Sequence, residues 1–241
     1  MKMLTRIITA ALLVIVACAQ ASADESWPDV PLPPKSNTQW IAQSERVNGV
    51  PTRVMQFQSS EGRAGIVQYY NSYWSGGYEH KPAVHELPDG TVIGQMHGPY
   101  LMTVKVQDGE RGTSKGVIAV AEVLGHAINR DPGDLPMMPG AHVISVVESD
   151  DPGKHSRLLT LVAPQPPTSV SQFYQSSLAN AGWAQVQAIN TPRVASAPEG
   201  AFVVFSREDT EIQVSIAGVP KGRGSYVVAN YVTKDTGSGA R

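Results

Sequence analysis

The stretch Arg53-Val54-Met55-Gln56-Phe57-Gln58 is matched 104 residues later, without a gap, by Arg157-Leu158-Leu159-Thr160-Leu161-Val162. Upstream, the same offset places Asn48-Gly49 on Pro152-Gly153. Downstream it places Ile66, Tyr69, Tyr70 and Trp74 on Val170, Phe173, Tyr174 and Leu178. An offset shared by a turn, a strand and a helix predicts one structural unit used twice. Two copies indicate a pseudo-symmetric pair rather than a solenoid.

The downstream segment of each copy has helical periodicity. In the first copy, apolar residues recur at the spacing of one helix face, at Ile66, Tyr69, Tyr70, Tyr73 and Trp74. In the second copy the same face is formed by Val170, Phe173, Tyr174 and Leu178. We therefore expect one amphipathic helix per copy.

Strand patterns surround each predicted helix. Apolar and polar residues alternate over 102–107 and over 212–216, and residues 117–123 and 226–232 also have strand character. The predicted fold class is α+β, with two pseudo-repeats of strand-strand-helix-three strands. In each, one helix packs on one face of an antiparallel sheet.

Proline-rich segments separate the predicted units. Three prolines between 129 and 140 exclude a regular helix there, and four prolines between 24 and 38 are typical of an extended tether. The predicted organisation is a signal peptide at 1–23, a tether at 24–38, a first repeat at 39–128, a linker at 129–140, a second repeat at 141–234 and a loose tail at 235–241.

The N-terminus has the three parts of a secretory signal. Lys2 and Arg6 precede an apolar run over 7–18, and Ala21-Ser22-Ala23 supplies the small residues that a signal peptidase requires. Cleavage after Ala23 would leave a periplasmic protein. The run is shorter than the roughly 20 residues of a membrane-spanning helix.

A second processing route stays open. Ile15-Val16-Ala17-Cys18 resembles a lipobox, in which the cysteine is lipidated and becomes the new N-terminus, although leucine is usual at the position of Ile15. Ala19-Gln20 follows, without the aspartate that retains lipoproteins in the inner membrane. Lipidation of Cys18 would therefore tether the protein to the outer membrane.

Composition excludes several classes of function. Cys18 is the only cysteine, so a chain cleaved after Ala23 has no disulfide, thiol nucleophile or thiolate metal site. The formal net charge is −2 and becomes more negative once Lys2 and Arg6 are removed. Nucleic acid is therefore not expected as a partner, because its recognition needs a positive surface.

The second predicted helix carries a recognisable pattern. Val170-Ser171-Gln172-Phe173-Tyr174, with Leu178 and Gly182-Trp183, resembles a V-x-x-F-Y-x-x-x-L-x-x-x-G-W helix module of exported, mostly uncharacterised bacterial proteins. The first copy lacks the Gly-Trp ending. The resemblance implies a small α/β fold and an exported compartment, and no activity, because the motif consists of core residues.

Few residues suggest catalysis or metal binding. Gly112-Thr113-Ser114-Lys115-Gly116 has the letters of a nucleophile elbow, but the elbow needs a helix after Ser114 and a strand is predicted there. Glu79, His80, His85 and Glu86 are candidate zinc or copper ligands. Their spacing is not that of a helical zinc motif. We therefore interpret them first as ordinary polar residues of a loop, and no cofactor is predicted.

The predicted outer faces of both helices carry no charge, and no charged residue occurs from 158 to 192. Because interfaces lose charge at their centres, these faces are candidate interaction surfaces. The candidate residues are Gln68, Asn71, Gln172, Gln175 and Ser176. A neutral polar surface exposed to solvent is the alternative.

These observations favour a non-catalytic exported binding or assembly module of the cell envelope, with a protein partner, such as an accessory of a pilus or secretion apparatus. One alternative is an envelope hydrolase using Ser114 or a site at His80 and His85. Another is a protein that binds a small apolar ligand between sheet and helix. That last alternative predicts a large apolar pocket beneath Tyr69, Tyr73 and Trp74.

Overall fold

The computed structural model describes residues 27–78, 81–151, 153–192, 199–220 and 222–234. The signal peptide, Cys18, Glu79, His80 and the tail at 235–241 lie outside these residues. The described first half contains, in order, β1 Ser36–Val47, β2 Val50–Ser59, α1 Arg63–Gly77, β3 Ala83–Leu87, β4 Gly90–His97, β5 Tyr100–Asp108 and β6 Ser114–Glu122.

The second half has the same series of elements. It contains β7 His142–Asp151, β8 Lys154–Ala163, α2 Pro167–Asn180, β9 Ala184–Thr191, β10 Gly200–Arg207, β11 Thr210–Gly218 and β12 Ser225–Lys234. The protein is therefore α+β, with one large antiparallel sheet and two helices of three to four turns. Each helix follows the second strand of its half.

All twelve strands form one sheet, in the order β3-β4-β5-β6-β2-β1-β7-β8-β12-β11-β10-β9. Counted outward from the centre of the sheet, each half has the strand order first, second, sixth, fifth, fourth, third. The elements β2 and β8 begin 104 residues apart, as do α1 and α2.

The halves join through β1 and β7, which pair antiparallel. Glu45 lies opposite Ser149, the residue 104 positions further along the chain. A strand that meets its own counterpart in this way has the geometry of a two-fold axis. Asn48 extends the junction, because its backbone N–H donates to the Val146 carbonyl at 2.7 Å and its Oδ1 accepts from the Val146 N–H at 2.9 Å.

Both helices lie on the same face of the sheet. Paired residues of an antiparallel sheet point to one face, and so do alternate residues of a strand. Met55 packs against the α1 core and shares its face with Pro51, which pairs with Arg46. Arg46 pairs with Glu148, which shares its face with Val146 of the α2 core. The opposite face carries neither helix.

The predicted helix faces form the two cores. In α1 the fully buried residues are Ile66, Tyr70 and Trp74, and in α2 they are Val170, Tyr174 and Leu178, each 104 positions later. Fully burying one such side chain stabilises the fold by about 1.5–3 kcal/mol. Each helix is therefore held by packing on the sheet, since neither has a side-chain N-cap.

The expectation of three strands after each helix was wrong, because four follow. Both outermost strands, β3 and β9, are exposed at every residue. An edge strand buried on neither face lacks the period-two apolar pattern by which strands are recognised. Pairing with β4 and β10, rather than burial, holds them in place.

The proline-rich segments pack against the cores. Residues 27–34 (the first strap) lie beside α1, where Trp27 and Val30 contact the first core. Residues 131–138 (the second strap) lie beside α2, where Leu135 is buried and Met137 packs against the second core. The segment predicted as a tether thus contacts the core from Trp27 onward, and its last residues belong to β1.

Candidate functional site

An apolar cleft of about 230 Å³ lies between the first strap and the sheet. Its floor is formed by Met55 of β2 and by Ile118 and Val120 of β6. The strap and β1 supply the other lining residues, which are Trp27, Pro28, Asp29, Val30, Leu32 and Trp40, with Arg53 of β2. The cleft is thus an apolar space with one cation and one carboxylate among its lining groups.

Two buried groups hold the first strap against the sheet. The Tyr70 hydroxyl donates to the Pro31 carbonyl at 2.6 Å, and the Ser59 hydroxyl donates to the Pro34 carbonyl at 2.6 Å. Burial, with a smaller contribution from Tyr69, raises the pKa of Tyr70 far above its usual range. Tyr70 therefore keeps its proton, and its role as hydrogen-bond donor, at neutral pH.

Aromatic contacts order one wall of the cleft. The Arg53 guanidinium lies over the Trp27 ring, 4.6 Å from its centroid, and the Trp27 ring lies 5.3 Å from that of Tyr100. A cation–π contact of this kind contributes about 0.5–1 kcal/mol where it is exposed and more where it is desolvated. These contacts hold Trp27 in place, so the wall exists before any ligand binds.

Large apolar side chains at the cleft remain in contact with water. Trp40 is 45 % exposed and Leu32 is 51 % exposed. Scattered exposed apolar residues are ordinary, but a cluster of them around a concave space marks a binding site. The cleft can therefore accept an apolar group, for which burial of Trp40 and Leu32 supplies the driving force.

The corresponding region of the second half is closed. Leu135 of the second strap is only 3 % exposed and belongs to the second core. Arg157, which lies 104 positions after Arg53, donates through Nη2 to the Asp131 carbonyl at 2.5 Å and lies 3.4 Å from Glu148. Gly133 has a positive φ, and a Cβ there would overlap with Nη1 of Arg157. The second strap is thus drawn onto the sheet.

The space beneath α1 is filled. Trp74 and Tyr70 are fully buried against Ile93 and Met102 in the first core. Tyr73 lies outside this core and is half exposed. The ligand hypothesis predicted an apolar pocket beneath Tyr69, Tyr73 and Trp74, and that position is wrong because buried side chains fill it. The apolar cleft lies beside the helix, under the first strap.

The candidate metal ligands His85 and Glu86 are neighbours on β3, so they point to opposite faces of that strand. Glu86 accepts from the Thr91 hydroxyl at 2.9 Å and from Arg63 at 3.3 Å. Across the described ranges, no group of three histidine, cysteine or acidic residues could hold a metal ion. The Glu86 carboxylate is therefore engaged by Arg63 and Thr91, while His80 lies outside the described residues.

Ser114 has a structural contact. It is buried as the first residue of β6, and its hydroxyl donates to the Glu61 carbonyl at 2.7 Å. The segment between β5 and β6 is a hairpin, and a strand rather than a helix follows Ser114. The strand–turn–helix arrangement of a nucleophile elbow is therefore not formed here.

The candidate interaction residues lie on the outer faces of the helices. Gln68, Asn71, Gln172 and Ser176 are exposed, whereas Gln175 is half-buried and donates to the Ser171 hydroxyl at 2.9 Å. Because both helices lie on one face of the sheet, the two sets face the same side of the molecule. Their role in binding stays a prediction.

Residues 143–235 match a family model described as START domain-like. The match covers almost all of the second half, which is less than half of the chain, and the α+β architecture fits it. No curated protein and no solved structure matches the chain. Among the residues that the structure describes, no helix is long and apolar enough to cross a membrane.

The sequence did not lead us to the cleft residues. Trp27 stands among prolines in a segment interpreted as a tether, and Trp40 does not follow a strand period because the pairing of β1 shifts register after it. One signal was present, since Arg53 and Arg157 share the 104-residue offset. A charged residue at the same position of two apolar strands indicates that both make the same kind of contact. Here each arginine contacts the strap of its own half.

Proposed function

We propose that this protein is a non-catalytic, exported binding module of the cell envelope that takes an apolar group into the cleft beneath its first strap. The observation that carries the proposal is the partly solvated apolar cleft, with exposed Trp40 and Leu32 and an ordered Trp27 wall. The START domain-like resemblance covers the second half, outside the cleft, and supports a ligand-binding module for the topology that both halves share.

The size of the cleft restricts its occupant. At about 230 Å³ it lies below the roughly 300–1,000 Å³ of pockets that enclose drug-sized ligands. We therefore expect a single aromatic ring or a short branched alkyl group. Either a small ligand or the side chain of a protein partner would provide it. A protein partner would fit an accessory role in a pilus or secretion apparatus.

The two halves are proposed to be copies of one unit, strap included. The shared strand order, the common offset of strand and helix, and an arginine that contacts each strap support this. Export is supported by the signal features of residues 1–23, with periplasmic release or lipidation of Cys18 as the two routes. In this proposal the first half binds the apolar group, and the closed second half has a structural role.

Binding can be tested on the chain from Asp24 onward with the apolar dye N-phenyl-1-naphthylamine, whose single phenyl ring has the size that the cleft can take. The dye is excited at its own absorption band. We expect saturable fluorescence enhancement for the natural sequence. Trp40→Ala should weaken binding about tenfold, equivalent to about 1.4 kcal/mol, because it removes one wall of the cleft.

The matched control is Ile144→Ala, which truncates an equally exposed apolar residue of β7 in the other half. It should leave dye affinity unchanged. Equal affinity of both variants, or no saturable binding by the natural chain, would contradict the proposal.

A further inference from the structure

The face of the sheet opposite the helices differs between the halves. The strand registers align the two halves position by position. We call a set of residues that are paired with one another across neighbouring strands a row. One row of the first half contains Gln56, Val117, Lys105 and Val92. The equivalent row of the second half contains Thr160, Val228, Ser215 and Phe202. The next row contains Gln58, Lys115 and Gln107, against Val162, Tyr226 and Ala217.

In these two rows the first half has the composition expected of a surface in water. It places Lys105 and Lys115 where the second half has Ser215 and Tyr226. Loss of lysine with gain of tyrosine and phenylalanine distinguishes the centre of an interface from the rest of a surface. In these two rows the first half thus provides an internal reference, from which the second half departs in the direction of an interface. In the rows that follow, the first half is the more apolar, with Ala119 and Leu101 where the second half has Asn230 and Glu211.

This second-half sheet face is accessible in the described part of the chain. Tyr226 is 46 % exposed, and Ile189, which pairs with Phe202, is 48 % exposed. Both α2 and the second strap contact the other side of the sheet. The charged side chain of Glu211 lies at the far end of β11, away from the centre of the face.

We propose that the second-half sheet face binds the same face of a second copy of this chain. In such a two-fold arrangement a surface meets itself, so a charge near the axis would meet a like charge. The two rows of the second half contain no charge. Lys115 opposes the same association of the first half, where Lys105 pairs with Asp89 at 2.7 Å, so only the second halves stack.

The area of the whole second-half face, of which these two rows are about half, is close to that of a stable dimer interface. Six strands about 4.8 Å apart, with about eight residues each at about 3.3 Å, present roughly 800 Å². A standard specific interface buries about 800 Å² per partner. Two sheets can stack about 10 Å apart with interleaved side chains, as in a β-sandwich.

Sedimentation velocity over a wide concentration range tests the proposal on the chain from Asp24 onward. We expect a dimer. The variant Ser215→Lys with Tyr226→Lys installs the residues that the first half already carries at these register positions, so the sheet should tolerate them. It should be monomeric, with an unchanged circular dichroism spectrum. Thr160→Gln, which also installs the first-half residue, should weaken the dimer with less risk to folding.

The control is Gln172→Lys with Ser176→Lys on the exposed face of α2, which should remain dimeric. A natural chain that stays monomeric would overturn the proposal, including one that binds only a different protein. Dimers retained by the Ser215/Tyr226 variant would also overturn it. So would dimers lost only in the α2 variant, since the interface would then lie on the helix side.

Discussion

The first strap leaves a cleft above the sheet, whereas the second strap closes the equivalent space. Both straps lie beside a helix, and both are contacted by an arginine of the adjacent strand. At the position where the second strap buries Leu135, the first has Pro31, whose carbonyl accepts from Tyr70. One shared topology can therefore carry either a filled core or a binding cleft, depending on a few strap residues.

The largest expected effect comes from opening the closed half. Leu135→Ala removes a buried side chain and should lower the free energy of unfolding by about 2–5 kcal/mol. Urea unfolding measures this loss. If the cavity forms as the comparison implies, dye titration should also show a second site. A destabilisation below about 1 kcal/mol would mean that Leu135 does not fill the second cleft.

A smaller loss of stability is expected when either arginine that contacts a strap is truncated, and the loss should differ between the two. Arg157→Ala leaves the Asp131 carbonyl and Glu148 without their partner and should cost about 1–3 kcal/mol. Arg53→Ala removes, among the contacts of Arg53, the cation–π contact with Trp27, which contributes about 0.5–1 kcal/mol. Urea unfolding of the two variants in parallel checks the order. The reverse order would show that the first strap is the more firmly held one.

The last expected effect is absent at neutral pH and appears only at alkaline pH. Burial raises the pKa of Tyr174 from 10.0 to about 12, so the folded protein keeps a proton that the unfolded chain loses. Stability from this group is present below pH 10 and falls between about pH 10 and 12. Tyr174→Phe should make that part of the stability curve shallower, measured by thermal unfolding across pH, while burial of Tyr70 and Tyr231 keeps the remaining slope. An unchanged slope would show that Tyr174 is not protected from water.

Much of the architecture could be predicted because the helix faces and central strands have strong periodic patterns. Ile66, Tyr70 and Trp74 were assigned to one helix face, and all three are buried there. The strands β3 and β9 could not be counted in this way, because an edge strand exposed on both faces has no burial pattern. The candidate interaction residues and both processing routes remain predictions.

The amino-acid sequence by itself determined the α+β class, the two helices and the antiparallel character of the strands, because local periodicity encodes which face of each element is buried. Only the tertiary structure decided that twelve strands join into one sheet, that the proline-rich segments become straps, and that one strap leaves a cleft. These features depend on pairings between residues far apart in the chain, such as Glu45 with Ser149 and Tyr70 with Pro31. No local pattern specifies such pairings, since they form only when the packed elements bring the partners together.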